Sequence, residues 1–273
     1  GAGSTLDFSD NTGLIINGSL VVNGKKDRKV MLKGGESSNW AGIQINGFKS
    51  QSIINNLIVD GGNGIFAGLS NRGAFTINNS SFEIRNSLFQ NNQSEDTLNL
   101  SNAKGSLDNV IIQNTKSDAL DIDFSKVKMS NSRFSNVGST TGADAIDISK
   151  SHLVADNIEI TNVTDKAVSV GESSKATINN IIISDTLVGI VAKDSSHLIA
   201  NNIVMHNIFM ANTMVYNKKQ NFSGAILEMK NIDDHSGIHI AEHGSTLIIE
   251  GVKRKTQKIN IKKLYATKMK SVK

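Results

Sequence analysis

A short pattern returns along the middle of this 273-residue chain. Thr97–Leu100, Ala119–Ile122, Ala145–Ile148, Ala167–Val170 and Gly189–Ala192 begin 22, 26, 22 and 22 residues apart. The 26 is a 22 with four residues added around Gly138–Gly142. A second signature follows about twelve residues later, an asparagine and then β-branched or aliphatic residues, at Asn86, Asn109, Asn131, Asn157, Asn180 and Asn202. Five positions beyond each stand Asn91, Asn114, Asn136, Asn162, Asp185 and Asn207, and Asn56 with Gly61 is an earlier copy. A fixed period constrains the fold more than any local propensity does. Strands this short, parted by Asn, Ser and Gly, predict an all-β chain. The period is too short for a propeller blade and too β-rich for helical repeats. It fits one turn of a solenoid, whose neighbouring coils lie about 4.8 Å apart. Asparagine at one turn position of every coil stacks as a hydrogen-bonded ladder and tolerates the left-handed backbone of such turns. Stacked Ile, Leu and Val fill a narrow core, which accounts for only 5% aromatic residues.

Over residues 14–250 the pattern resembles the right-handed parallel β-helix of the pectin-lyase-like superfamily. The right hand of the helix is what that resemblance implies. One solenoid domain is expected over 1–252, with residues 62–85 and 208–227 as longer excursions and 253–273 as a basic tail or cap. Trp40 is expected to cover the opening end of the core.

Side chains alternate along a strand, so Leu120 and Ile122 should point inward and Asp121 outward. One outward column then reads Asn99, Asp121, Asp147, Ser169, Val191. The column before the strand reads Asp96, Asp118, Asp144, Lys166, and the one after it Asp123, Ser149, Gly171, Lys193. Carboxylates stacked at about 5 Å repel, which raises pKa values or recruits a cation. Such a stripe is a functional-site candidate. Asp118, Asp121, Asp144 and Lys166 are the catalytic candidates. Asp147, Lys193, Tyr216 and Lys218 are the substrate-binding ones, with Tyr216 placed to stack on a sugar.

The strings Ser117–Asp121, Gly142–Ile146, Lys166–Gly171 and Gly189–Lys193 fall in that order on consecutive coils. They resemble the four motifs of polygalacturonase-type glycoside hydrolases, Asn-Thr-Asp, Gly-Asp-Asp, Gly-His-Gly and Arg-Ile-Lys. The resemblance makes Asp118 the first acid, Asp144 the second acid of the pair and Lys193 the substrate lysine. Ala143, Lys166 and Val191 depart from it, replacing an acid, the histidine and the arginine. A glycoside hydrolase, a polysaccharide lyase using Lys166 or Lys193 as base, and a non-catalytic structural or adhesive β-helix all stay open. For an enzyme, Asp118→Asn and Asp144→Asn should each remove activity with little change in melting temperature.

Composition narrows the classes. No cysteine means no disulfide, thiolate metal site or thiol nucleophile. The histidines, including His235, His239 and His243 near Glu242, lack metal-ligand spacing. No cofactor is expected beyond a divalent cation held by Asp118, Asp121 and Asp144. No apolar run reaches the length of a membrane helix. Residues 253–273 carry nine basic groups and no acid, which leaves 20 basic against 25 acidic residues in the body. That charge is terminal and not interleaved with aromatics, so nucleic acid is disfavoured as a partner and a polysaccharide is expected. The chain opens on Gly1-Ala2-Gly3-Ser4 without a charged-then-apolar leader. An extracellular or cell-surface location is expected.

Overall fold

Positions one period apart lie over one another. Leu98, Leu120, Ile146, Val168 and Ile190 form a parallel column, each fully buried. Ile77, Leu100, Ile122, Ile148 and Val170 form a second one two residues on. The computed structural model describes residues 1–35, 39–48, 50–64, 73–139, 142–234 and 237–267, except the side chains of 262, 266 and 267. The chain is a right-handed parallel β-solenoid of about 10 turns with about 23 residues in each. Every coil has three faces. The site face holds Asp96–Ser101, Asp118–Asp123 and Ile146–Ser149. A second face holds Lys104–Asp108, and a third Ile111–Thr115. In later coils the strands run unbroken round the corners, as in His152–Gly171, Lys175–Lys193 and His197–Tyr216.

Asparagine makes two of the corners. Asn109, Asn131, Asn157, Asn180 and Asn202 at one, and Asn114, Asn136, Asn162 and Asn207 at the next, all have φ between 51° and 56°. That left-handed region is open to asparagine at small cost. Asn157 donates to Asn131 Oδ1 at 2.8 Å, Asn162 to Asn136 at 2.8 Å and Asn136 to Asn114 at 2.9 Å, so the ladders form. The third corner instead carries buried serines. The backbone N–H groups of Ala103, Ser125 and Ser151 donate to Ser125, Ser151 and Ser174 Oγ at 2.8, 2.8 and 3.0 Å.

The excursions are narrower than the sequence suggests. Gly73–Asn78 and Ser81–Arg85 stay in parallel register, while 65–72 lie outside the described residues. Residues 208–216 continue the strand after a one-residue slip beyond Thr186. The early coils are longer: Leu14 pairs with Ile43 and Ile43 with Phe75, steps of 29 and 32. Trp40 is fully buried, stacked on Phe8 at 4.7 Å, and donates to the Asp60 carbonyl at 2.9 Å.

At the far end Val252–Lys253 turns back and pairs antiparallel with Ile248 and Ile249. Beyond it α1 (Ile261–Thr267) starts at Asn260, whose side chain accepts from the Lys263 N–H at 2.9 Å as an N-cap. Ile261, Leu264 and Tyr265 pack on Val188, Val191, Ala211, Met214 and Tyr216. α1 therefore packs on the site face. Lys268, Lys270 and Lys273 fall outside the described residues.

Candidate functional site

The outward column on the site face is as the alternation predicts. Asn99 pairs with Asp121, Asp121 with Asp147, Asp147 with Ser169 and Ser169 with Val191. Asp96 pairs with Asp118, and Asp123 with Ser149. Asp118 Oδ1 accepts the Asp144 backbone N–H at 2.9 Å. The Asp144 carboxylate in turn takes the Lys166 N–H at 3.1 Å and Lys166 Nζ at 3.1 Å. Four of the sequence candidates, Asp118, Asp121, Asp144 and Asp147, thus form one contiguous acidic row.

Two lysines divide this row electrostatically. Lys166 Nζ lies 2.5 Å from Asp165 Oδ2 and 3.1 Å from Asp144 Oδ1, with all three side chains nearly closed off from water. Burial works against its charge, but Asp144 and Asp165 outweigh that and hold it above the ordinary lysine value. A lysine locked in this way is not a base, which corrects its assignment as a proton acceptor. Lys193 is buried too, donating to Ser169 Oγ at 2.7 Å and standing 3.6 Å from Asp147 Oδ1. Burial alone would raise Asp147; Lys193, Lys166, Ser169 and the Ile148 N–H reverse this and hold it below the usual carboxylate range.

Two strands before Lys166, among the described residues, no lysine or arginine forms an ion pair with Asp118 or Asp121. Burial, then Asp96, Asp123, Asp147 and Asp118, push Asp121 from 3.8 to about 10. Burial and Asp144 push Asp118 to about 8, against the hydrogen bond from the Asp144 N–H. Burial and Glu95 bring Asp96 to about 7, while Asn99 bridges it to Asp121 at 3.2 and 3.1 Å. Asp165 is raised to about 6, chiefly by burial. The row therefore favours the proton at Asp121 and the charge at Asp147, on directly paired strands.

The expected cation site is not formed. Among the described residues no three His, Asp or Glu side chains are grouped to hold a metal ion. Protons and Lys166 meet the repulsion that a cation would otherwise relieve. His239 bonds Asp234 at 2.9 Å and Thr213 at 2.9 Å; His235 lies outside the described residues.

Tyr216 does not present a sugar platform. It is fully buried, its hydroxyl 2.5 Å from that of Tyr265 on α1, and burial raises its pKa well above 10. Lys218 is exposed but sits 4.4 Å over the Tyr265 ring, and its backbone N–H donates to Asp194 Oδ1 at 2.6 Å. Burial, then Lys193 and Lys166, lower its pKa. Sequence reasoning missed Asp165 and Tyr265. Asp165 adjoins Lys166 and could have been found as its second counter-ion. Tyr265 is 49 residues from Tyr216 and no repeat leads to it. Among the described residues several buried side-chain oxygens have no hydrogen-bond partner, and Asn99 Oδ1 and Asp165 Oδ1 are the two beside the acidic row.

The sequence family described as Right handed beta helix region matches residues 73–253. No curated protein sequence matches the chain. Among solved structures, the Agl-KA catalytic domain is 13% identical with a TM-score of 0.51, over 89% of this chain and 61% of that one. A GH87 alpha-1,3-glucanase catalytic domain in complex with tetrasaccharides is 12% identical at TM-score 0.44, over 90% of this chain and 62% of that one. A pectate lyase is 8% identical at TM-score 0.42, over 94% and 69%. The chain thus spans about three fifths of the first two structures, and these likenesses concern the fold.

Proposed function

The chain belongs to the right-handed β-helix family, and from that premise we propose that it binds a polysaccharide across the acidic row and cleaves a glycosidic bond there. The supporting observation is the opposed state of two neighbouring carboxyls, Asp121 raised to about 10 and Asp147 held low. Carboxyls pushed apart in this way divide acid from base or nucleophile roles. Their strands are directly paired, about 4.8 Å apart. We read that strand spacing as nearer to the roughly 5–5.5 Å between the carboxyls of a double-displacement glycosidase than to the roughly 6.5–9.5 Å of single displacement.

In this reading Asp147 attacks the anomeric carbon as the Asp121 proton passes to the leaving oxygen. Asp121 then takes a proton from water, whose oxygen displaces Asp147 and frees the sugar. Lys193 and Ser169 keep Asp147 ionised and aimed. The unpartnered oxygens of Asn99 and Asp165 suit sugar hydroxyls, since buried polar atoms otherwise find partners. A structural β-helix is the competing reading, and the near-complete burial of Asp144, Lys166 and Lys193 favours it for those three.

The test is a panel of neutral and uronic-acid glycans, read for binding, new reducing ends and unsaturated products. Asp121→Asn and Asp147→Asn should each remove the product while the protein stays folded. No binding and no product with any glycan would overturn the proposal.

A further inference from the structure

The second face of the solenoid carries a charge pattern unrelated to the acidic row. Lys104 pairs with Lys126, Lys126 with His152, His152 with Lys175 and Lys175 with His197. All five stand at the same outward position, so the row advances by one strand spacing each time, about 19 Å over five coils. Lys128 projects beside Lys126 at the next outward position of its strand. Four of the five are exposed and His197 is half-buried. His197 meets Glu228 at 3.1 Å; among the described residues no carboxylate pairs with Lys104, Lys126, Lys128 or Lys175. Lys104 and Lys126, like charges directly opposite on paired strands, repel, and among the described residues no ion pair relieves them. The surface is concave along the first three positions of this row, Lys104, Lys126 and His152. A groove of about 490 Å³ is lined by Lys104, Lys126, Lys128, His152 and Val154, with Glu83 at one end.

We propose that this groove binds a linear anionic polysaccharide, carrying carboxylate or sulfate groups, with its chain along the solenoid axis. A polymer carrying acid groups meets Lys104, Lys126, Lys128 and Lys175 along one line, and its charge relieves the repulsion between Lys104 and Lys126. Ser106 and Thr177, at the middle outward positions, offer hydroxyls to the sugar rings. Of the acids of this face, Asp108 and Asp156 lie in the far row, where Ser130 and Asn131 or Asn180 already bond them, while Glu83 is held by Gln51 and Arg85 and Glu228 by His197. Single-stranded nucleic acid fits less well. It is held by bases stacking on aromatic side chains, and the outward positions of these strands carry no Phe, Tyr or Trp. The groove is independent of the acidic row and stands whether or not that row is catalytic.

Titration of the full chain with polygalacturonate, dextran sulfate, uncharged dextran and a thymidine oligonucleotide tests this. Both polyanions should bind, more weakly as salt rises, because exposed charges are screened. Uncharged dextran should not bind. Replacing Lys104, Lys126 and Lys175 together by Gln should weaken binding about tenfold or more. A charge-matched Lys25→Gln, Lys26→Gln, Lys29→Gln protein should stay within about twofold. Melting temperatures confirm that the variants fold. An equal loss in the charge-matched control, failure of both polyanions to bind, or tighter binding of the oligonucleotide would overturn the proposal.

Discussion

Asp121→Asn should make the protein more stable, and increasingly so as pH rises. In the folded chain this carboxyl is raised from 3.8 to about 10, by burial and then by Asp96, Asp123, Asp147 and Asp118. Below 3.8 both folded and unfolded states hold the proton, and the group contributes nothing. Above 3.8 the unfolded chain releases it while the folded chain keeps it. Stability therefore falls by about 1.4 kcal/mol for each pH unit until the folded value is passed. Between pH 4 and pH 7 the loss would reach about 4 kcal/mol in a rigid, dry site; water reaching this half-buried carboxyl screens the repulsion and brings it nearer 2 kcal/mol. Asparagine cannot ionise, and its oxygen can still accept from Asn99, which now bonds Asp121 at 3.1 Å. Urea unfolding of both proteins at half-unit steps from pH 4 to pH 8 measures the difference. It should be near zero at the acid end and widen steadily in favour of the variant. A difference independent of pH, or a variant less stable at pH 8, would show that Asp121 is ionised and solvated, and the acid–base assignment would fall with it.

Asp144→Asn should behave in the opposite way and lower stability by about 3–5 kcal/mol, because it leaves buried Lys166 with Asp165 alone. Thermal melting checks this, and it departs from the sequence expectation that Asp144 could be changed at little cost. Lys193→Met removes the leading cation holding Asp147 low. Asp147 would then take a proton at higher pH, and the acid limb of any pH–rate profile should move upward. At Asn136, φ is 55° and the side chain bonds both Asn114 and Asn162. Asn136→Ala should cost about 2 kcal/mol by denaturant unfolding, and Asn136→Gly less, since glycine avoids the backbone strain.

The solenoid was legible because its cause is periodic. Ala119, Ala145 and Ala167 repeat at one position of the site face, and the asparagines that repeat with them occupy the corners. The first coils hid from the same reasoning because steps of 29 and 32 residues put loops where the period expects strands. The acidic row was legible as a set of residues but not as a distribution of charge. Asp121 and Asp147 are the same residue type in the same column, and they differ because Lys193 reaches one and not the other. Tyr265 was beyond reach, since a short helix packing on Val191 and Met214 leaves no signature in the repeat. Tyr216 was misjudged for the same reason, the ring that covers it lying in a segment read only for its charge.

The reversed pairing of Val252–Lys253 bears on how these molecules behave when crowded. A stack of parallel coils ends in unsatisfied backbone donors and acceptors that would template the next coil of any similar chain. A two-residue strand running the other way occupies part of that template at Ile248 and Ile249. At that position it breaks the polarity an incoming parallel strand would need. The strand thereby covers one face of the last coil against an added parallel strand.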